Sequence, residues 1–197
     1  MQLEQGNIYH VFNRGNNRQS IFFGHDNYLY FLKGVKQYLI PHCDILAWCL
    51  MPNHFHFLVY ANTNSVQVIE DGSFKRQKFS QGIKQLLSSY TKAINKKYGR
   101  TGSLFQQKTK AICVLGGERN HATVAFHYIH QNPMKSSLVE KMEEWEFSSF
   151  KDYTGMRNGN LCKQDLANTY LDIDMKSFYT DSYKVINYKY VSDKDEL

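Results

Sequence analysis

The chain has 197 residues, of which 42% are hydrophobic and 15% aromatic, and 24 Lys and Arg outnumber 18 Asp and Glu. This length and composition exclude a disordered chain and predict one packed domain with room for an appended tail. No apolar run resembles a signal peptide or reaches membrane-spanning length, so we expect a cytoplasmic protein that does not associate with membranes.

In the first half of the chain, a loosely alternating, aromatic segment predicts a strand over Asn7–Asn13, followed by a polar loop, RGNNRQS. Apolar residues at helical spacing predict a helix from His25 to Leu39, before Pro41. The apolar runs Asp44–Leu50 and His54–Tyr60 predict two strands that form a hairpin with Pro-Asn at the turn.

In the second half, residues 61–79 are expected to form a loop or an irregular stretch. An apolar stripe predicts a helix over Ser80–Tyr98 with Gly99 as its C-cap. A strand over Gln107–Leu115 and a short helix over about 118–131, stopped by Asn132-Pro133, follow.

The resulting β-α-β-β-α-β-α order predicts an α+β fold, an antiparallel sheet with helices packed on one face. We expect one domain over residues 1–155 and a C-terminal appendage of unknown role over 156–197, which lacks a strong apolar period. Along the strand at 54–60, Phe55, Phe57 and Val59 should face one way, and His54, His56 and Leu58 the other.

Four scattered cysteines, Cys43, Cys49, Cys113 and Cys162, include no C-x-x-C pair. Two of them lie in apolar, strand-like runs. We expect all four to be reduced core residues.

The positive charge of the chain is concentrated in one segment. Residues 72–117 contain ten Lys or Arg and no acidic residue, although the whole chain has a net charge of only +6. A concentrated positive field suits a polyanion such as nucleic acid. A solvated surface helix is the simpler alternative.

Two pairs of residues could carry chemistry. His54 and His56 lie two apart on a strand, about 6 to 7 Å apart at Cα, so both imidazoles could reach one divalent cation. Tyr128 and Asn132 lie four apart on a helix and share a face, which suits a nucleophile beside a metal ligand. Each pair also has a structural interpretation: hydrogen-bonded sheet histidines, a core aromatic, and a helix C-cap.

The order of several motifs resembles the single-tyrosine HUH transposases, and most of all the REP-associated tyrosine transposases. The similarity covers about residues 6–154. The motifs that carry it are YHVFNRGNNRQSIF (9–22), WCLMPNHFHFLVY (48–60), YIHQNPMKSSLV (128–139) and WEFSSF (145–150).

The resemblance implies a ferredoxin-like antiparallel sheet with the histidine pair on a central strand. It implies that His54, His56 and Asn132 bind Mg²⁺ or Mn²⁺ and that Tyr128 is the nucleophile. It further implies single-stranded or hairpin DNA as the partner, and a homodimer in some members, whereas the REP-associated branch is often monomeric.

The resemblance therefore implies metal-dependent nicking and strand transfer of single-stranded DNA through a 5′-phosphotyrosine, as in DNA transposition. His127 and His130, which flank the tyrosine, could assist proton transfer or be structural. The residues predicted to bind DNA are Asn13, Arg14, Arg18, Lys84, Lys92, Lys96, Lys97, Arg100, Lys108 and Lys110.

Two alternatives remain open at this point. One is a non-catalytic hairpin-DNA-binding regulator that kept the fold. The other is a zinc-dependent hydrolase, which would need a third His, Cys or carboxylate beside the pair.

Overall fold

The structure is a computed structural model that describes residues 1–71, 74–115 and 121–184. The strands are β1 (Ile8–Arg14), β2 (Asp44–Met51), β3 (His54–Tyr60), β4 (Val68–Asp71), β5 (Phe74–Gln77) and β6 (Lys110–Cys113). The helices are α1 (His25–Tyr38), α2 (Thr63–Val66), α3 (Lys78–Tyr98), α4 (His121–Lys135), α5 (Phe150–Tyr153), α6 (Gln164–Tyr170) and α7 (Phe178–Ser182).

The main sheet is antiparallel and has the strand order β2-β3-β1-β6. Strands β2 and β3 form the predicted hairpin, in which Met51 pairs with His54 across a two-residue turn, Pro52-Asn53. Strand β3 is central, because it pairs with β2 on one side and β1 on the other. The α+β class and the central position of the histidine pair are therefore as expected.

The two faces of the sheet bury two separate cores. Phe55, Phe57 and Val59 of β3 pack in the core that includes α1 and α3, whereas Leu58 packs in the core that includes α4. The predicted alternation along β3 is thus confirmed. The expectation that helices cover one face needs correction: α1 and α3 cover one face, and α4 packs against β2 and β3 on the other.

Helix α3 ends as its sequence predicts, since the C-cap Gly99 adopts a left-handed φ of 60° and its N–H bonds back to the Asn95 carbonyl. Helix α4 does not: it continues through Pro133 to Lys135. Because proline has no backbone N–H, Pro133 removes only one hydrogen bond from the helix. The Ser136 N–H bonds to the Asn132 carbonyl at 2.9 Å. The burial of Asn132 and Pro133 outweighs the local preference to end the helix.

Two further segments differ from the predictions. Residues 61–79 are more regular than expected, because they contain α2, the β4–β5 hairpin and the first two residues of α3. The strand predicted over Gln107–Leu115 is limited to β6, because only four of its residues, Lys110–Cys113, pair with β1. The first residues of the helix predicted over 118–131 lie outside the described part of the chain.

The described part of the 156–197 segment packs on the molecule. Ala167, Leu171 and Phe178 are buried in the same core as α4. The division of the chain at residue 155 stays a prediction, and residues 185–197 lie outside the described residues. Of the four cysteines, Cys43 and Cys49 are buried, Cys162 is half-buried, and Cys113 is exposed, contrary to the expectation of a core position.

None of the helices in the described ranges combines the length and the apolar character needed to cross a membrane.

Candidate active site

The histidine pair lies on the sheet face that α4 covers. The His54 and His56 rings have centroids 4.8 Å apart and stand nearly perpendicular to each other. His56 is buried and His54 is half-buried. The two imidazoles therefore meet at the beginning of β3, as the strand alternation predicted.

Each imidazole is held through its Nδ1 atom. The Nδ1 of His54 lies 2.6 Å from Oδ1 of Asn53, a geometry in which the imidazole N–H donates. The Nδ1 of His56 shares a hydrogen bond of 2.9 Å with Nε2 of His10. Because both Nδ1 atoms are engaged in this way, a metal ion would bind the pair through Nε2.

His10 is a site residue that the sequence interpretation missed. It is fully buried on β1, and its ring stacks on His56 with centroids 5.0 Å apart. The alternation of β1 could have placed it on the same face as Ile8, but only the pairing of β1 with β3 brings it to His56.

Helix α4 brings Tyr128 and Asn132 to the histidines. The Tyr128 ring centroid lies 5.8 Å from that of His56 and 5.8 Å from that of His10, edge-on to both. The Asn132 amide donates from Nδ2 to the Tyr128 carbonyl at 3.1 Å, so Oδ1 is the atom that could bind a cation. The structure thus brings all four residues predicted from the sequence to one place.

Burial sets the charge state of the imidazoles. It lowers the pKa of His54 to about 4, with smaller contributions from Arg14 and His10. Burial, with His54 and His10 nearby, also holds the pKa of His56 well below its usual value. Both rings are therefore neutral near pH 7, the form in which imidazole binds metals.

A cleft of about 510 Å³ opens beside these residues and is lined by His54, Tyr128 and Asn132. Among the described residues, five cationic ones from separate parts of the chain line it as well, and no acidic one does. They are Arg14, Arg18, Lys108, Lys110 and Lys135. A cleft with this charge suits a phosphate backbone.

The loop after β1 forms one wall of the cleft and is tied to the β2–β3 turn. The Gly15 N–H donates to the Asn53 carbonyl at 2.8 Å, and the Ile21 N–H donates to the Pro52 carbonyl at 2.8 Å. Asn17 and Arg18 have left-handed φ values of 54° and 57°. This constrained backbone aims Arg18 toward the cleft.

Asn13 also lines the cleft, but its amide is engaged inside the protein. Its Nδ2 donates to the Gln106 carbonyl and to Thr109 Oγ1, at 3.1 and 3.0 Å, and its Oδ1 accepts from the Arg14 N–H. Asn13 therefore anchors the segment that carries Lys108, and a direct DNA contact from it stays a prediction.

The remaining residues predicted to bind DNA fall into two groups. Lys84 and Lys92 line a second groove of about 1000 Å³ along α3, which shares Gln106 and Lys108 with the cleft. Lys96, Lys97 and Arg100 line neither. The Arg100 guanidinium donates to Gln19 Oε1 at 2.8 Å and lies over the Phe23 ring, which gives it a structural contact.

His127 and His130 face away from the cleft toward the C-terminal segment. Nδ1 of His127 lies 3.0 Å from Ser182 Oγ, and Nε2 of His130 lies 2.7 Å from Ser149 Oγ. Both rings also contact Phe178. Their contacts favour the structural interpretation over proton transfer.

Within the three described ranges, no group of three or more His, Cys, Asp or Glu could hold a metal ion. A third histidine, His10, does lie beside the pair, but its Nε2 is bonded to Nδ1 of His56, so these described residues do not supply the third ligand that the zinc-hydrolase alternative needs. A hard cation such as Mg²⁺ or Mn²⁺ accepts an amide oxygen, which Asn132 offers.

No protein-family model matches the chain. It is 24% identical over 109 residues to the "Putative REP-associated tyrosine transposase" of Haemophilus influenzae; the match covers 54% of the chain and 58% of that protein. The chain thus spans somewhat more than half the length of this curated relative.

In fold it is similar to the solved structure of a REP-associated tyrosine transposase bound to a REP hairpin, with a TM-score of 0.57 and 17% identity. That match covers 79% of this chain and 83% of the other. The structural match confirms the fold, and both similar proteins are REP-associated tyrosine transposases by description, the family whose motifs the sequence resembles.

Proposed function

We propose that the chain cuts and rejoins single-stranded DNA through a covalent bond to Tyr128. The observation that carries this proposal is the convergence of Tyr128 with His54, His56 and Asn132 at one end of a cationic cleft. DNA binding alone would not require a buried phenol beside two neutral imidazoles. The similarity to REP-associated tyrosine transposases supports the same proposal.

The residues present fit a divalent cation. Nε2 of His54, Nε2 of His56 and Oδ1 of Asn132 would hold Mg²⁺ or Mn²⁺, since the other polar atoms of these side chains bond to Asn53, His10 and the Tyr128 carbonyl. When bound, the cation supplies Lewis-acid stabilisation of the negative charge that develops on the scissile phosphate.

Tyr128 is the nucleophile in this proposal. Its hydroxyl oxygen attacks phosphorus, the bond from phosphorus to the 3′ oxygen breaks, and the tyrosyl proton passes through solvent to that departing oxygen. The products are a 5′-phosphotyrosine and a free 3′-hydroxyl. Attack by a 3′-hydroxyl on the phosphotyrosine reverses the step and joins strands, so no other energy source is needed.

The cationic side chains would bind the DNA phosphates around the scissile bond. Arg14 and Arg18 approach from the loop side of the cleft, and Lys108 and Lys110 from the segment that leads into β6. The similar solved structure carries a REP hairpin, and we propose a hairpin-bearing single strand as the substrate of this chain too. A homodimer stays a prediction.

A non-catalytic DNA-binding regulator is the second candidate. It shares the cationic cleft and the hairpin partner, so binding measurements alone would not separate the two. Only the covalent intermediate does.

The test is to incubate the protein with a hairpin-bearing single strand and Mn²⁺ and to look for a covalent adduct on a denaturing gel. Wild type should form the adduct, and Tyr128→Phe should not, because the substitution removes only the attacking oxygen. Tyr30→Phe is the matched control, since Tyr30 is exposed on α1. An adduct with Tyr128→Phe would exclude this nucleophile, and no adduct with wild type would favour the regulator.

His54→Ala tests the metal ligands in the same assay. We expect cleavage to fall by at least about a hundredfold while hairpin affinity changes little, because the cationic residues remain. Unchanged cleavage would contradict the metal assignment.

A further inference from the structure

His10 and His56 form a buried pair of imidazoles, and this pair extends the candidate site onto β1. Nε2 of His10 lies 2.9 Å from Nδ1 of His56, and the rings stack at an interplanar angle of 23°. His10 is 0% exposed and His56 is 1% exposed, so solvent does not compete for this hydrogen bond. The proposed reaction does not itself assign a role to His10.

We propose that His10 is a positioning residue that fixes the tautomer and the ring orientation of His56. Nε2 of His10 accepts the hydrogen bond, and Nδ1–H of His56 donates it. His56 then carries its lone pair on Nε2, the atom that binds the cation. This inference rests on the proposed function for the role of the metal.

The direction of the hydrogen bond decides whether His56 can be a ligand. A neutral imidazole has one N–H, so a proton on Nδ1 leaves a lone pair on Nε2. If His10 donated instead, the proton of His56 would lie on Nε2 and cover the ligand atom. Because the pair is buried, a hydrogen bond of fixed direction selects one tautomer strongly.

The neighbouring ligand has the same arrangement with a different partner. Nδ1 of His54 bonds to Oδ1 of Asn53, an atom that can only accept. That bond fixes the proton of His54 on Nδ1. With His10 as an acceptor, both ligands of β3 would hold their protons on Nδ1, and both Nε2 atoms would be ready for one cation.

Two variants separate the hydrogen bond from packing. His10→Gln keeps an acceptor, because its Oε1 reaches the place of the imidazole Nε2. His10→Phe keeps a ring of similar size and removes the acceptor. We expect Mn²⁺ affinity, measured by electron paramagnetic resonance without DNA, to stay within about threefold for His10→Gln and to fall about 10- to 100-fold for His10→Phe.

The tautomer can be measured directly in the wild-type protein without metal. Nitrogen-15 NMR of the imidazoles should show His56 neutral, with its proton on Nδ1. A proton on Nε2 would overturn the proposal, as would a His10→Phe variant that binds Mn²⁺ as tightly as wild type. If His10→Phe does not fold, the wild-type tautomer and the affinity of His10→Gln decide.

These readouts are independent of strand cleavage. If wild type forms no tyrosine adduct but His56 has the Nδ1–H tautomer, the proposed reaction fails and the role of His10 stands. If the adduct forms and the tautomer is the other one, the role of His10 fails alone. If the role of His10 were purely structural, both substitutions would change the thermal stability of the protein and leave its Mn²⁺ affinity unchanged.

Discussion

Gly15 allows the loop after β1 to fold back toward the candidate active site. A Cβ atom on this residue would lie 2.1 Å from the Gln19 carbonyl oxygen and 3.1 Å from Ile21 Cγ2. The first distance is far shorter than van der Waals contact, so any side chain here would displace the loop. The loop includes Arg18, so its displacement would also disturb the cationic cleft.

We therefore expect Gly15→Ala to destabilise the protein by about 1 to 3 kcal/mol, because a methyl group must be accommodated in a packed turn. Gly24→Ala is the control, since nothing lies within 4 Å of a Cβ there and its φ is extended. Denaturant unfolding of both variants measures the difference. Equal stabilities would mean that the loop relaxes without cost.

At the scale of single residues, the sequence predicted side-chain direction well and side-chain partners poorly. The alternation of β3 placed His54 and His56 together, because the pleat is a local property of the strand. His10 was missed, because its contact with His56 depends on which strand pairs with β3. Arg100 was predicted to bind DNA, but it contacts Gln19, which lies 81 residues earlier in the chain, and the nearby Phe23.

Helix α4 connects the candidate active site to the C-terminal segment. One side presents Tyr128 and Asn132 to the cleft, and the other is bonded to the last described residues. Nε2 of Gln131 donates to the carbonyls of Ser182 and Lys184, at 2.6 and 2.9 Å. The C-terminal segment therefore supports the helix that carries the proposed nucleophile.

Phe178 is the centre of this contact. It is 1% exposed and packs against Phe126 and His130 of α4. We expect Phe178→Ala to lower the free energy of unfolding by about 3 to 5 kcal/mol, because it leaves a cavity the size of a phenyl ring.

Tyr179→Ala is the matched control, because Tyr179 is adjacent in sequence and 42% exposed. It should cost less than about 1 kcal/mol. Thermal or denaturant unfolding compares the two. If Phe178→Ala is no less stable than Tyr179→Ala, the C-terminal segment does not support α4.

At the scale of elements, local preferences failed where tertiary contacts were strong. Pro133 predicted the end of α4, yet the helix continues to Lys135 because its last turns are buried against the sheet and the C-terminal segment. The β4–β5 hairpin was not predicted, since residues 61–79 carry no clear alternation over its four-residue strands. The β2–β3 hairpin was predicted well, because long apolar runs flank a Pro-Asn turn.

Across the whole molecule, the basic segment over residues 72–117 contributes lysines to two cavities. Lys108 and Lys110 line the cleft at the candidate active site, and Lys84 and Lys92 line the groove along α3. Gln106 and Lys108 belong to both cavities, so the two form one continuous cationic surface. A single strand that leaves the cleft could follow the groove along α3.

This path predicts a difference between lysines of the same helix. Lys84→Glu/Lys92→Glu should weaken binding of a hairpin with a single-stranded extension but leave binding of the bare hairpin nearly unchanged. Two lost phosphate contacts lower the slope of log affinity against log salt by about 1.4. Raising the salt from 50 to 200 mM should therefore reduce the DNA affinity of the double variant about sevenfold less than that of wild type.

Lys96→Glu/Lys97→Glu is the control, since it makes the same charge change on α3 outside the groove. Fluorescence anisotropy with both DNAs distinguishes the cases. If the two double variants weaken binding equally, the overall positive charge of the protein attracts the single-stranded extension and the groove does not bind it specifically.

The sequence by itself determined the features that depend on short stretches of chain. These are the strand and helix types, the β2–β3 hairpin, the common face of His54 and His56, and the helical spacing of Tyr128 and Asn132. Together with the motif resemblance, they were enough to predict the fold class and the residues of the candidate site, because period and turn chemistry are local properties.

Only the tertiary structure decided what meets across long separations in sequence. It placed α4 over the histidine face, joined His10 to His56, tied Asn13 to the 106–109 segment, and divided the basic residues between the cleft, the groove and structural contacts. These outcomes follow from strand order and from the burial of two separate cores. Both are set by the free energy of the whole chain and leave no periodic signal in any one segment.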